Sequence, residues 1–254
     1  MIYHSNNHAL TFKNGNCNHG IKDEVFKSNN RMKNSIFAVN IEKFAVQFDA
    51  GLCLVKPEIQ QDILRFKQEK DRHRKLISSL LLRFSLKNFL NLSEYSVSKN
   101  KYGKPYLKGY PDFQFNMSHS GNWVVGAVSD KPLGIDIEGI STFHDFMGIA
   151  KRFYSEKEYA FLLEHDEKLR LEIFYEIWTK KESLIKAVGK GLSIPLKSFT
   201  VPITSDGLIE YNGVCWSVYT PEFRDEHYKI SICFSSDKRL FAPVKYFALN
   251  ELVK

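Results

Sequence analysis

The sequence predicts an α+β fold built from two loosely similar halves, and three observations carry that expectation. Strand-like runs fall in groups with the helical stretches collected between them, which argues against a doubly wound parallel sheet. A helix followed by Y-G-K-P-Y-L-K in the first half is echoed by a helix followed by K-G-L-S-I-P-L-K in the second. Whether this reflects a true internal duplication stays open at this point. With 254 residues and 43% apolar content, the chain can bury a full core. Residues 1–33 are expected to form a poorly ordered N-terminal extension, 34–131 an N-terminal α+β half and 132–254 a C-terminal α+β half.

The elements follow in order. Up to residue 33 the chain is rich in Asn and Gly and has neither helical nor strand periodicity. S-I-F-A-V-N-I, from Ser35, reads as a strand, and Pro57 to Phe89 as two helical segments broken near the basic run K-Q-E-K-D-R-H-R-K, Lys67 to Lys75. Y-G-K-P-Y-L is a turn leading into a strand. F-Q-F-N-M-S and W-V-V-G-A-V-S alternate as strands, with S-H-S-G-N as the turn between them, and L-G-I-D-I-E is a third strand. Helical stretches are expected over Ser155 to Leu163 and Leu171 to Val188. The glycine-containing G-K-G-L-S-I-P-L-K-S-F-T-V then turns into a strand, followed by strands at Val214 to Tyr219, Tyr228 to Phe234 and Val244 to Leu249.

Composition narrows the function classes. No window holds the roughly 18 or more apolar residues of a membrane-spanning helix, and the start M-I-Y-H-S-N-N-H has neither a basic nor an apolar leader region, so a cytoplasmic location is expected. Cys17, Cys53, Cys215 and Cys233 lack CxxC or Cys/His spacing, which indicates reduced structural cysteines rather than disulfides or zinc. A formal net charge of +7 is compatible with nucleic acid, an acidic protein, a polyphosphate ligand or simply a soluble surface. No nucleic-acid motif is present and no aromatics interleave the basic run, so nucleic acid is not expected as a partner.

Two segments carry chemistry. On the strand G-I-D-I-E, Asp136 and Glu138 share a face roughly 6–7 Å apart while Ile135 and Ile137 point to the core. Two adjacent carboxylates repel and favour a hard cation such as Mg²⁺ or Mn²⁺, although an isolated D-x-E is more often an ordinary exposed strand face. In W-T-K-K-E-S-L-I-K, the stripe Phe174, Ile177, Trp178, Lys181, Ile185, Val188 faces the core, with Lys181 as a basic interruption and Glu182 at its edge. An i, i+4 pair between Glu182 and Lys186 is the simple explanation; a site that balances a metal against phosphate oxygens is the other.

Taken together, these segments resemble the signature of Sfp-type phosphopantetheinyl transferases, a G-I-D-x-E strand followed about forty residues on by a W-x-x-K-E-S-x-x-K helix. Y-G-K-P, F-N-M-S-H-S-G, A-K-R-F-Y-S-E-K-E-Y and G-K-G-L-S-I-P-L agree as well, so the likeness runs from about Ser35 to the C-terminus. The resemblance implies a pseudo-two-fold pair of α+β halves with the active site in the cleft between them. It implies an enzyme that moves the phosphopantetheine arm of coenzyme A onto a serine of an acyl, peptidyl or aryl carrier protein, acting as a monomer with no membrane partner. Asp136, Glu138 and Glu182 would hold Mg²⁺, with Mn²⁺ as the other option. Glu182, or a water it orients, would take the serine proton, Lys186 would offset developing charge, and Ser118 and His119 would meet the CoA phosphates, His119 being counted with Glu182 and Lys186 as catalytic. Lys104 with its neighbours Tyr102, Gly103 and Pro105, together with Arg74 and Lys75, would meet the adenine and 3'-phosphate. One departure stands out: after S-P-E the family often carries further lysines that support the nucleotide end, whereas this chain reads K-P-E-I-Q-Q-D, with Ile59 and Asp62.

Ile140, Phe143, Phe146 and Met147 lie on a linker over the expected cleft, either as core cover or as an adaptable patch for a carrier helix. Two other functions use the same residues. A different metal-dependent phosphoryl transferase or hydrolase would need a water nucleophile and no carrier, and a non-catalytic scaffold for CoA or a carrier predicts damage to the three carboxylates, all of which are present.

Overall fold

Two four-stranded sheets carry the core, packed against each other through a shared apolar layer and joined at one edge by polar side chains. The structure is a computed structural model, and it describes residues 34–42, 48–142, 145–238 and 243–252. The expected N-terminal extension, Cys17 and Phe143 lie outside the described residues.

In chain order the elements are β1 (Ser35–Asn40), α1 (Phe48–Leu52), α2 (Pro57–Leu64), α3 (Glu69–Leu90), β2 (Val97–Lys99), β3 (Pro105–Leu107), β4 (Gln114–Ser120), β5 (Trp123–Ser129) and β6 (Leu133–Gly139). They continue with α4 (Phe146–Phe153), α5 (Glu156–Leu163), α6 (Glu167–Val188), β7 (Gly207–Tyr211), β8 (Val214–Tyr219), β9 (Tyr228–Ser235), β10 (Val244–Tyr246) and α7 (Leu249–Leu252). One four-stranded sheet has the order β10-β1-β5-β4 and the other β6-β9-β8-β7, while β2 and β3 pair as a separate hairpin. Neighbours in the two large sheets are antiparallel except β10, which runs parallel to β1 with Ile36 opposite Val244. The α+β class is therefore realised as two helix-backed sheets.

Period-two patterning explains the packing. Phe37, Val39, Val124 and Val128 meet Leu76, Ile77, Leu80 and Leu81 of α3 on one face of the first sheet. The opposite face, Ile36, Ala38, Trp123, Val125 and Ala127, packs against Leu133, Ile135, Ile137, Ile230 and Ile232 of the second sheet. The far face of that second sheet, through Trp216, Val218 and Cys233, carries α6 by Phe174, Ile177, Leu184 and Ile185. The described residues accordingly form one compact unit with a core shared between the sheets.

The ends of the long helix are chemically marked. Asp166 caps α6 by accepting the Leu169 amide, and Gly189 closes it in the left-handed conformation that glycine adopts without strain. The preceding α5 opens with a complete capping box between Ser155 and Glu158.

Several elements differ from the sequence expectation. S-H-S is not a turn: β4 continues through His119 and Ser120, because Ser118, His119 and Ser120 pair in register with Val125, Val124 and Trp123. The turn is confined to Gly121 and Asn122, with Gly121 at φ +53°. Helix α6 begins four residues before Leu171, at the Asp166 cap. The short α1, α4 and β7 were not anticipated, and G-K-G-L-S-I-P-L-K-S forms two 3₁₀ turns rather than leading directly into a strand. The linker residues Ile140, Phe146 and Met147 are half-buried against the core under α6, Phe146 within 5.7 Å of the Phe174 ring.

Candidate active site

β4 and β6 are the adjoining edges of the two sheets, and side chains rather than a backbone ladder join them. Alternate residues of β4 point at β6. Asn116 Oδ1 accepts the Ile135 amide at 2.9 Å, Ser118 Oγ donates to Asp136 Oδ1 at 2.8 Å, and Ser120 Oγ donates to Glu138 Oε2 at 2.9 Å. Ser120 Oγ also accepts the Gly139 amide at 3.1 Å. The seam fixes both carboxylates of the D-x-E strand from one side.

Helix α6 holds Asp136 from the other. A Cβ at Gly134 would overlap main-chain atoms of Ser183, Lys186 and Ala187, so only glycine lets α6 lie this close to β6. At that separation Lys186 Nζ reaches Asp136 Oδ1 at 2.5 Å and Ser118 Oγ at 3.0 Å. The expected i, i+4 partner of Glu182 is thus bound across the seam to Asp136 instead. Glu182 faces the same pocket, which has a volume of about 400 Å³ and is lined by Met117, Ser118, His119, Asp136, Glu138, Trp178, Glu182 and Lys186.

The electrostatics follow from crowding acids into a partly dry cleft. Desolvation, then the Asp136 charge, pushes the Glu182 pKa up to about 7, with Lys186 acting in the opposite sense. Glu138 is raised for the same two leading reasons, and Ser120 and Lys186 partly offset the shift. Partial desolvation followed by the Arg74 and Lys186 cations lowers the His119 pKa. Among the described residues Asp136 Oδ2 is buried without a hydrogen-bond partner, an acceptor that a positively charged or donating group would satisfy. Hard carboxylate oxygens suit Mg²⁺ or Mn²⁺. Among the described residues, however, no three His, Cys, Asp or Glu side chains converge tightly enough to make a preassembled metal site.

A second cavity, of about 390 Å³, shares Met117 and His119 with the first and runs toward α2 and α3. It is lined in part by Ile59, Asp62, Phe66, Lys75, Tyr95 and Pro105. The structure thus brings Asp136, Glu138, Glu182, Lys186, Ser118 and His119 to one pocket and Lys75 and Pro105 to the adjoining one.

Other expected site residues sit differently. Arg74 forks onto the Gly121 carbonyl and pairs with Asp71 at 2.8 Å, bracing the β4–β5 turn. Lys104 Nζ donates to the carbonyls of Leu133 at 3.0 Å and Ala187 at 2.8 Å, tying the start of β6 to the end of α6, and its desolvation lowers its pKa to about 8. Tyr102 is exposed beside Lys101, and Gly103 holds the turn at φ +92°. Lys181, the basic interruption in the helix stripe, is fully buried. It pairs with buried Glu158 at 2.7 Å and donates to the Leu196 and Phe199 carbonyls, well away from the pocket chemistry. Asn116, Ser120, Met117 and Trp178 are site residues that the sequence reading did not assign a role. The one available signal was the period-two alternation of F-N-M-S-H-S, which places Asn116, Ser118 and Ser120 on a single face.

Two helix-backed sheets thus meet at an edge lined with carboxylates. Residues 132–245 match the family described as the 4'-phosphopantetheinyl transferase superfamily, and residues 42–131 match 4'-phosphopantetheinyl transferase, N-terminal. The chain is 39% identical over 192 residues to a 4'-phosphopantetheinyl transferase of Bacillus subtilis, covering 73% of this chain and 84% of that protein. It is 38% identical to the 4'-phosphopantetheinyl transferase gsp of Aneurinibacillus migulanus, over 78% of this chain and 81% of that one. To the Xenopus laevis L-aminoadipate-semialdehyde dehydrogenase-phosphopantetheinyl transferase it is 33% identical, over 56% of this chain and 52% of the other. The chain belongs to the 4'-phosphopantetheinyl transferase superfamily and is a transferase of the phosphopantetheine group.

Among the described residues, no helix is long and apolar enough to cross a membrane. Cys53, Cys215 and Cys233 are free thiols.

Proposed function

We propose that the donor is coenzyme A, that the acceptor is a serine of an acyl, peptidyl or aryl carrier protein, and that Asp136, Glu138 and Glu182 hold Mg²⁺, or Mn²⁺ in its place. The observation that carries this reading is the pocket itself. Three carboxylates face one cavity, one buried Asp136 oxygen has no partner, and Lys186 stands among them. When bound, the cation supplies charge neutralisation at the diphosphate of the donor.

The residues then take distinct parts. Lys186, held by Asp136 and Ser118, presents a fixed ammonium to the oxyanion charge that grows as the phosphorus is attacked. Glu182, or a water it orients, takes the proton of the carrier serine. In the metal-free site burial beside Asp136 raises the Glu182 pKa to about 7. His119 stands where the two cavities meet, and its lowered pKa leaves a neutral imidazole to hydrogen-bond phosphate oxygen. The adenosine end extends into the second cavity, along Tyr95 and Pro105. Residues 34–131 and 132–254 are the two α+β halves flanking this cleft. We take the enzyme to be a cytoplasmic monomer with no nucleic-acid or membrane partner.

The test is intact mass spectrometry of a panel of apo carrier proteins incubated with the enzyme, CoA and Mg²⁺. A mass gain of one phosphopantetheine, abolished by EDTA and restored by excess Mg²⁺, is the expected result. Full transfer in EDTA would remove the metal from the reading.

A further inference from the structure

We propose that the 3'-phosphomonoester of the donor is not a recognition element for this enzyme, which takes dephospho-CoA about as well as CoA. The inference rests on the reading that the adenosine end occupies the second cavity, and it follows from the charges around that cavity. Its walls offer flat apolar surface from Phe66, Tyr95, Pro105 and Phe115, suited to the face of a purine. They offer little to a dianion.

Two carboxylates, Asp62 and Asp71, line the cavity, and the cations nearby already have partners. Arg65 pairs with Asp62 at 3.1 Å. Arg74 pairs with Asp71 at 2.8 Å, and its Nε and Nη2 donate to the Gly121 carbonyl. Lys56 is held by Glu94 at 2.9 Å and by the Tyr95 carbonyl at 2.9 Å. The hydroxyls of Ser78 and Ser79 donate back to the carbonyls of Arg74 and Lys75. Among the described residues that line the cavity, Lys75 is left as the one uncommitted ammonium. A phosphomonoester carries close to two charges near neutral pH and is bound strongly where a forked guanidinium or several cations converge. Here it meets one exposed lysine and the Asp62 carboxylate of the I-Q-Q-D stretch. Attraction and repulsion of single exposed charges are each small and of opposite sign.

Dephospho-CoA and CoA, each freed of the other, are compared as donors to one apo carrier in Mg²⁺, with kcat/KM read by intact mass. The wild type is expected to show values within about fivefold of each other, the span of a single exposed ion pair. Asp62→Lys, an exposed change on α2 that also releases Arg65, is expected to widen the preference for CoA by about tenfold through KM. A wild-type preference for CoA beyond fivefold, or an Asp62→Lys ratio equal to wild type, would overturn the inference while leaving the transferase reading standing. Transfer from neither donor to any carrier would overturn that reading, and the inference with it.

Discussion

Replacing Gly134 by alanine tests the most tightly determined feature of the molecule, the contact of α6 with β6. The added methyl would collide with main-chain atoms of Ser183, Lys186 and Ala187, none of which can rotate away. The helix itself must therefore move. Overpacking a core typically costs about 1–3 kcal/mol, and an obstacle made of backbone places this case near 3 kcal/mol. For a chain of this size that corresponds to a fall in Tm of roughly 6–12 °C. The catalytic cost is separate. α6 carries Glu182 and Lys186, β6 carries Asp136, and the Lys186–Asp136 contact is 2.5 Å; a displacement of about 1 Å in such a constellation costs on the order of 100-fold in rate. Thermal unfolding by circular dichroism and single-turnover transfer to an apo carrier read the two effects independently. Gly126→Ala is the matched control, because the methyl there meets the thioether of Met117, which can swing aside. It should cost about 1 kcal/mol or less in stability. If Gly134→Ala melted with the wild type and transferred at the wild-type rate, the close helix-to-strand approach described above would be wrong.

Three further outcomes are expected. Asp136→Ala and Glu182→Ala should each abolish transfer while circular dichroism reports an intact fold; wild-type turnover in either variant would refute the assignment of the carboxylates. Lys181→Met leaves Glu158 charged and buried without its ammonium, and breaking such a pair costs about 3–5 kcal/mol, so chemical denaturation should show a large loss that the double variant with Glu158→Met partly restores. Lys104 has a folded-state pKa of about 8 against 10.5 for a free lysine, so between those values the unfolded chain binds the extra proton and stability rises with pH. The wild type minus Lys104→Met difference in unfolding free energy should therefore be flat below pH 8 and climb toward pH 10, and parallel curves across that range would refute the buried amine.

The parts of this architecture that could be read in advance are those where local pattern and chemistry coincide. The β6 carboxylates were legible because strand alternation separates Asp136 and Glu138 from Ile135 and Ile137, and α6 because its apolar stripe is long. His119 and Ser120 were misplaced onto a turn because S-H-S-G-N has the composition of one; pairing with β5, a tertiary effect, outweighs that preference. Lys104 and Lys181 carry no sequence mark that distinguishes a lysine bound to main-chain carbonyls in the interior from one that meets phosphate. Their partners, at Leu133, Ala187, Leu196 and Phe199, become neighbours only once the helices are docked. α1 and β7, five residues each, offer too few residues for a period to emerge.

The parallel pairing of β10 with β1 has a consequence for the order of assembly. A ribosome makes the strand holding Ile36 well before the one holding Val244. The first sheet, whose opposite edge bears Ser118 and Ser120, therefore waits with one flank of β1 uncovered until β10 has emerged. Closing so long a loop is entropically slow, and an uncovered strand flank is a place where neighbouring nascent chains can pair. Once β10 docks it becomes the edge of the sheet, and Lys245, opposite Phe37 in the register, places a charge there.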